Sequence, residues 1–273
     1  MHNQDARRRN PVRAVAAALG ALMFGMALAA VPAQAAPPGA AQYVALGDSY
    51  ASGQGAAPYT DPACFVSKKG YPVISDKLRD VELTANAACS GNSTGQVIAS
   101  LPFAVGPATD VVTVTAGGID LGTNTVLATC APAPQSFECA SAINAAYTRL
   151  GDGTVFTAVA TMVGTIRAHA PTARLVVTGY PLLFEPAHPF APVANPAVQG
   201  LNLVIASAAT SQGAHYVDVA GAFAGHGIGS ADPWINFNPA NLADPANFHP
   251  NGDGYRHGYY GSLVNQGAFT GLN

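Results

Sequence analysis

Residues 44–53 read VALGDSYASG. An apolar run breaks at Gly47, and an acid, Asp48, and a hydroxyl, Ser49, sit on the break. Four more β-prone runs follow, at residues 81–85, 110–116, 174–179 and 215–219. Three of the five (YVAL, VVTV and RLVVTGY) are nearly continuous in apolar or β-branched residues, as suits strands buried on both faces of a parallel sheet. Helical patterns lie between and after them, at 71–79, 94–100, 153–170, 198–211 and 251–266. In the third of these, Val155, Val159, Met162, Val163 and Ile166 recur at steps of three and four, one face of a helix. Strands alternating with helices predict an α/β fold of three layers, α/β/α, on a parallel five-stranded sheet with right-handed crossovers. Sites in such folds form at the carboxyl ends of the strands, which is where Ser49 stands.

The first 35 residues read differently. Arg7, Arg8, Arg9 and Arg13 form a positive region, an apolar stretch covers 14–30, and small residues occupy Ala33 and Ala35. This is the pattern of a secretion signal with an A-x-A cleavage site. The apolar stretch is at the short end for a bilayer span of about 20 residues, which argues against a permanent anchor. Cleavage after Ala35 leaves one domain, 36–273, of a size that buries a full core. The signal takes four of the 12 basic residues and one of the 15 acids, leaving 8 and 14 and a formal charge of −6. No Lys/Arg cluster survives, which argues against a nucleic-acid partner. No second long apolar segment exists, so no membrane span is expected after cleavage. The expectation is a secreted monomer.

All four cysteines, Cys64, Cys89, Cys130 and Cys139, lie after the signal. An even count in an exported chain points to two disulfides, for which sequence alone allows three connectivities. Pairing neighbours, Cys64–Cys89 and Cys130–Cys139, closes the shorter loops and is the favoured set. There is no C-x-x-C and no histidine at ligand spacing beside these cysteines, so neither a metal nor another cofactor is expected.

The strand ends carry the chemistry. Glycine-bearing turns occur at Gly47-Asp48-Ser49, at Cys89-Ser90-Gly91-Asn92-Ser93 and at Ala116-Gly117-Gly118-Ile119-Asp120, and Asn247-Phe248-His249-Pro250-Asn251 precedes the last helix. A serine hydroxyl is a poor nucleophile until a base takes its proton, and histidine titrates near neutrality. A developing oxyanion needs N–H donors aimed at it. Ser49 with His249, plus the backbone amides of Ser49 and Gly91, makes a minimal hydrolytic site. The other histidines, at 2, 169, 188, 215, 226 and 257, have no companion motif and read as structural or exposed.

In these blocks the chain resembles the SGNH hydrolases, also called GDSL esterases and lipases, and in particular their secreted actinobacterial branch. GDSYASG resembles the first family block, ACSG the second, VTVTAGGIDLG the third and NFHPN the fifth; the paired cysteines, GHGIGSADPWIN and Tyr180-Pro181 add to the likeness. The resemblance implies Ser49 as nucleophile and oxyanion donor, Gly91 as second donor, and His249 as base. It implies a lipid, short-chain or acetyl-glycan ester as substrate. The loops at 184–196 and 225–241, with Phe184, Phe190, Trp234 and Phe237, are expected to form a partly apolar wall.

The chain departs from the family at two supporting positions. The family's oxyanion asparagine in the third block is replaced by Ile119, which cannot donate; Asn92 and Asn124 are the candidates to substitute for it. The aspartate often found three residues before the histidine is replaced by Ala246, leaving Asp244 as the acid that would orient His249 if the loop curls; otherwise a main-chain carbonyl takes that role. Gly229 stands where the branch often places a further cysteine. Ile119 also motivates a competing reading, a weak or inactive relative that binds a lipid or glycan.

Overall fold

The computed structural model describes residues 39–272. The secretion-signal reading concerns residues 1–35 and lies outside them. The chain runs β1 (Ala41–Gly47), α1 (Ser49–Ser52), a hairpin of β2 (Tyr59–Asp61) and β3 (Val66–Ser67), α2 (Tyr71–Ser75), β4 (Val81–Asn86), α3 (Thr94–Ala104) and β5 (Val111–Thr115). Then come α4 (Gly118–Leu121), α5 (Thr123–Cys130), α6 (Phe137–Gly151), α7 (Thr154–His169), β6 (Arg174–Thr178), α8 (Ala191–Ser211), β7 (His215–Val217) and α9 (Gly261–Asn265). The main sheet has five strands in the order β4-β1-β5-β6-β7, and all its pairings are parallel.

The two faces of the sheet are covered differently, and the split follows the two-residue alternation of a strand. Val44 and Leu46 of β1 face an aliphatic layer with Val97, Leu101, Val155, Val159, Met162, Ile166, Leu201 and Ile205 from α3, α7 and α8. Tyr43 and Ala45 face the other way, into a layer rich in tyrosine, with Tyr71, Phe223, Tyr255 and Tyr259. In that second layer the hydroxyls are paired: Tyr43 with Thr113 at 2.6 Å and Tyr71 with Thr115 at 2.9 Å. A buried phenol costs free energy unless its hydroxyl is satisfied, so threonines on β5 let tyrosines serve as core residues.

The predicted three-layer α/β/α architecture is observed, with corrections at particular elements. Helices α5 and α6 were not anticipated. No α5 residue is buried, and only Cys139 and Ala146 are buried in α6, so neither carries an apolar stripe to read. Helix α2 ends at Ser75, short of 79; the Asp76 carboxylate accepts the Leu83 N–H at 2.6 Å and folds the chain toward β4. Helix α8 starts at Ala191, so the expected loop 184–196 is half helix. Pro192 stands in its first turn, where a missing N–H costs nothing. The last helix begins at Gly252, one residue after the expected 251, and runs into a π-helical turn over Gly254–Tyr260. Asn251 stays outside, its side chain accepting from the Asp253 and Gly254 N–H groups at 3.0 Å. Among the described residues no helix is long and apolar enough to cross a membrane. Disulfides join Cys64 to Cys89 and Cys130 to Cys139.

Candidate active site

Strand β1 delivers Ser49. Gly47 has φ +131°, and a Cβ there would sit 2.2 Å from the Thr115 carbonyl oxygen, so only glycine lets β1 turn this tightly against β5. Asp48 then caps α1, its carboxylate accepting the Tyr50 N–H at 2.9 Å. Ser49 is the first residue of α1. Asp48 is buried, and its other carboxylate oxygen accepts the Tyr180 hydroxyl at 2.5 Å. Burial pushes its pKa up to about 7, with the Tyr180 and Tyr50 bonds opposing the rise. The Tyr180 hydroxyl also accepts the Gly118 N–H at 3.0 Å, which ties the Gly117-Gly118-Ile119-Asp120 turn to the Ser49 turn.

The second block lies between β4 and α3. The Cys89 N–H donates to the Gly47 carbonyl at 3.0 Å and the Ser90 N–H to the Cys64 carbonyl at 3.1 Å, so this turn is anchored both to β1 and to the disulfide-linked segment. Gly91 follows with φ +81°. Among the described residues, the N–H groups of Ser49 and Gly91 have no hydrogen-bond partner, which leaves both free for an acceptor. Asp120 accepts the Thr94 N–H at 3.0 Å and its hydroxyl at 2.8 Å, joining the start of α3 to the third block.

His249 comes from a long irregular segment and reaches Ser49 across the carboxyl end of the sheet. Its Nε2 lies 2.8 Å from Ser49 Oγ and its Nδ1 lies 2.8 Å from the Asn247 carbonyl oxygen. A carbonyl only accepts, so Nδ1 carries the proton and Nε2 presents a lone pair to the serine hydroxyl. Burial pushes the imidazole pKa down to about 4, against the opposing pull of the Asn247 carbonyl. The ring is therefore neutral across the physiological range, the state a base requires.

Asp244 is not the group that orients His249. Its carboxylate accepts the Ala246 N–H at 2.9 Å, a local turn bond, while the Asn247 carbonyl occupies Nδ1. The loop does curl, since the Asn247 N–H donates to the Asp244 carbonyl at 3.0 Å and the His249 N–H to the Ala246 carbonyl at 3.1 Å. That curl brings a backbone oxygen, not the carboxylate, to the imidazole. Ile119 is half-buried on α4. Asn124 is exposed on α5, and Asn92 holds a long 3.4 Å bond to the Gly47 carbonyl beside the Ser49 turn.

Several site residues carried no motif signal. Tyr50 donates to the Phe248 carbonyl at 2.6 Å and packs its ring 5.2 Å from that of His249. Asn247 is buried, accepting the Asn238 N–H at 2.6 Å and donating to the Asn241 carbonyl at 2.9 Å. Beside the dyad, Phe248 packs against Phe237 (5.4 Å) and Phe184 (6.3 Å), and Phe184 stacks on His188 (4.5 Å) and meets Phe190 (5.9 Å), a mostly apolar wall. Trp234 is turned elsewhere, stacked on His226 at 3.7 Å.

A hydrogen-bonded serine–histidine pair at the strand ends, in a chain whose Ser49 and Gly91 N–H groups are unpaired among the described residues, is the kind of site that acyl transfer uses. The chain belongs to the GDSL-like lipase/acylhydrolase family, whose profile matches residues 45–257. It is 33% identical over 258 residues to a lipase of Streptomyces rimosus, covering 89% of this chain and 95% of that protein. It is 33% identical over 253 residues to lipase 1 of Streptomyces coelicolor, covering 89% and 91%. The crystal structure of the extracellular lipase of Streptomyces rimosus superposes with a TM-score of 0.75 at 32% identity, over 83% of this chain and all of that one. Phospholipase A1 from Streptomyces albidoflavus gives 0.74 at 31% identity, over 83% and 99%.

Proposed function

We propose that this chain is a carboxylic-ester hydrolase that works through an acyl-enzyme on Ser49, with His249 as base. The contact that supports this most directly is Ser49 Oγ to His249 Nε2 at 2.8 Å, with Nδ1 engaged by the Asn247 carbonyl. His249 Nε2 takes the hydroxyl proton as Oγ bonds to the ester carbonyl carbon. The carbonyl π electrons move to oxygen, and the amides of Ser49 and Gly91 hold the resulting oxyanion. Its collapse breaks the bond to the leaving oxygen, which takes the proton from His249. Water then repeats the sequence on the acyl-enzyme and releases the acid. The Asn247 carbonyl orients the ring in the role that an aspartate plays in a triad.

The Phe184–Phe237–Phe248 wall beside the dyad, and relatives named lipase and phospholipase A1, favour lipid esters as substrate. No cofactor enters this mechanism. Residues 1–35 serve as a secretion signal in this reading, and 36–273 act outside the cell as one domain and a monomer. An intact dyad gives the binding-only reading no advantage. The deciding experiment compares the mature chain with Ser49→Ala on p-nitrophenyl esters and on phospholipid. The expected loss in kcat is about 10⁴-fold or more. An equal rate for the two proteins overturns the reading.

A further inference from the structure

Gln54 stands outside the dyad and the oxyanion amides, yet it touches all three segments that carry them. It is almost fully buried, at 6% exposure. Its backbone N–H donates to the Ser49 carbonyl at 3.0 Å, at the end of α1. Its side-chain oxygen accepts the Ser90 hydroxyl at 2.5 Å, one residue before Gly91. Its side-chain NH₂ donates to the Pro245 carbonyl at 2.5 Å, in the turn that curls toward His249. The orientation of the amide is forced: a carbonyl can only accept, so nitrogen must face Pro245 and oxygen must face Ser90. The Gln54 carbonyl is held in turn by the Tyr255 hydroxyl at 2.7 Å, a core residue of the tyrosine layer.

We propose that Gln54 is a positioning residue, a strut that fixes the Gly91 turn and the His249 loop at one separation around Ser49. It builds on the acyl-enzyme reading above. The two segments it spans need such a tie. The Gly91 turn is bonded to β1, whereas Pro245 belongs to a loop with no strand of its own. A displacement of about 1 Å between base and oxyanion donors costs on the order of 10²-fold in rate. Glutamine meets the requirement because it offers one donor and one acceptor on a single rigid plane. Glutamate offers two acceptors when ionised, but regains the donor when protonated.

That difference supplies the test. Gln54→Glu and Gln54→Leu are assayed beside the wild type on p-nitrophenyl butyrate from about pH 5 to 8, with Ser49→Ala as blank. Near pH 8 both variants are expected to lose about tenfold or more in kcat with little change in KM, since the strut sets geometry and not substrate contact. Toward pH 5, Gln54→Glu is expected to recover toward wild-type kcat, because burial raises the pKa of a carboxyl and its protonated form can again donate to Pro245. Gln54→Leu is expected not to recover. The base stays neutral through this range, since burial holds His249 at about 4. The other titratable groups near the strut are Tyr59, Tyr255, Asp244 and Asp48; Tyr255 is raised well above its ordinary value, chiefly by burial. Burial raises Asp48 to about 7, inside this range, but Asp48 is present in every variant, so recovery is read as the ratio to wild-type kcat at each pH.

Near-UV circular dichroism at each pH separates misfolding from mispositioning. Should Gln54→Leu fail to fold, Ser90→Ala cuts the same strut at its other end and is expected to lower kcat with KM unchanged. The proposal is overturned if Gln54→Leu or Ser90→Ala, folded, keeps the wild-type kcat. It is equally overturned if Gln54→Glu shows no recovery at low pH that Gln54→Leu lacks. Wild-type hydrolysis that does not depend on Ser49 would instead sink the esterase reading itself.

Discussion

The two halves of the dyad are built by different physics. Ser49 rides on the end of β1, a strand buried on both faces and bonded to β4 and β5. Its position follows from sheet register, a glycine turn and an N-cap, all local to residues 47–50. His249 sits 200 positions later in a segment without regular structure. There, side chains do the work of a sheet: Asn247 bonds to Asn238 and Asn241, and Asn236 to the Gly55 and His249 carbonyls. Ser49 is held by secondary structure and His249 by a polar network. Mutations near the base are therefore expected to act through geometry, whereas the serine end is buffered by the sheet.

Asn247→Ala should break this contrast most severely. It leaves the ring's carbonyl partner in the chain but removes the bonds that place it, and it strands the Asn238 N–H. The expected fall in kcat is about 10²-fold, with a loss of about 1–3 kcal/mol in unfolding free energy by urea titration. A wild-type kcat would show that the loop is held by other means.

Acid exposes the next difference. The imidazole pKa is lowered from its ordinary 6.5 to about 4, so the acid limb of kcat/KM should fall near 4 and not near 6.5. The sign for stability follows. The unfolded chain binds the proton more readily, so this group's contribution is present above pH 6.5 and is lost as pH falls toward 4. A limb near 6.5 in a pH–rate profile would mean that water reaches the ring.

Ile119→Asn sharpens the serine side, since it restores the family's side-chain donor on α4. A rise of about tenfold or more in kcat is expected on p-nitrophenyl esters. No gain would mean that Asn92 or another group already serves. The smallest effect is assigned to Asp244→Ala. Its carboxylate bonds only the Ala246 N–H, so kcat should stay within about threefold and the pH profile should keep its shape. A shifted acid limb would restore the acid to the site.

The same contrast explains what could be read in advance. Strands β1, β5 and β6 were the most legible because burial on both faces leaves nearly unbroken apolar runs, and α7 because its buried face repeats at helical steps. Helices α5 and α6 were not, because they bury almost nothing. Ser49, Gly91 and His249 stood in recognisable blocks. Asp244 was a natural guess because an acid near a catalytic histidine is common chemistry. Whether its carboxylate or a neighbouring carbonyl meets the ring depends on how the 244–249 turn curls. Gln54 had no signal at all, since a lone glutamine states neither of its partners.

The sequence by itself determined the layered α/β scaffold and the family, and it singled out Ser49 and His249 as the candidate pair, because periodicity and short motifs are local properties of the chain. Only the tertiary structure decided which oxygen meets the His249 ring and that Gln54 ties the segments together. Those are hydrogen bonds between residues as far as 191 positions apart, and their partners are chosen by the packing of loops. No local pattern encodes that choice.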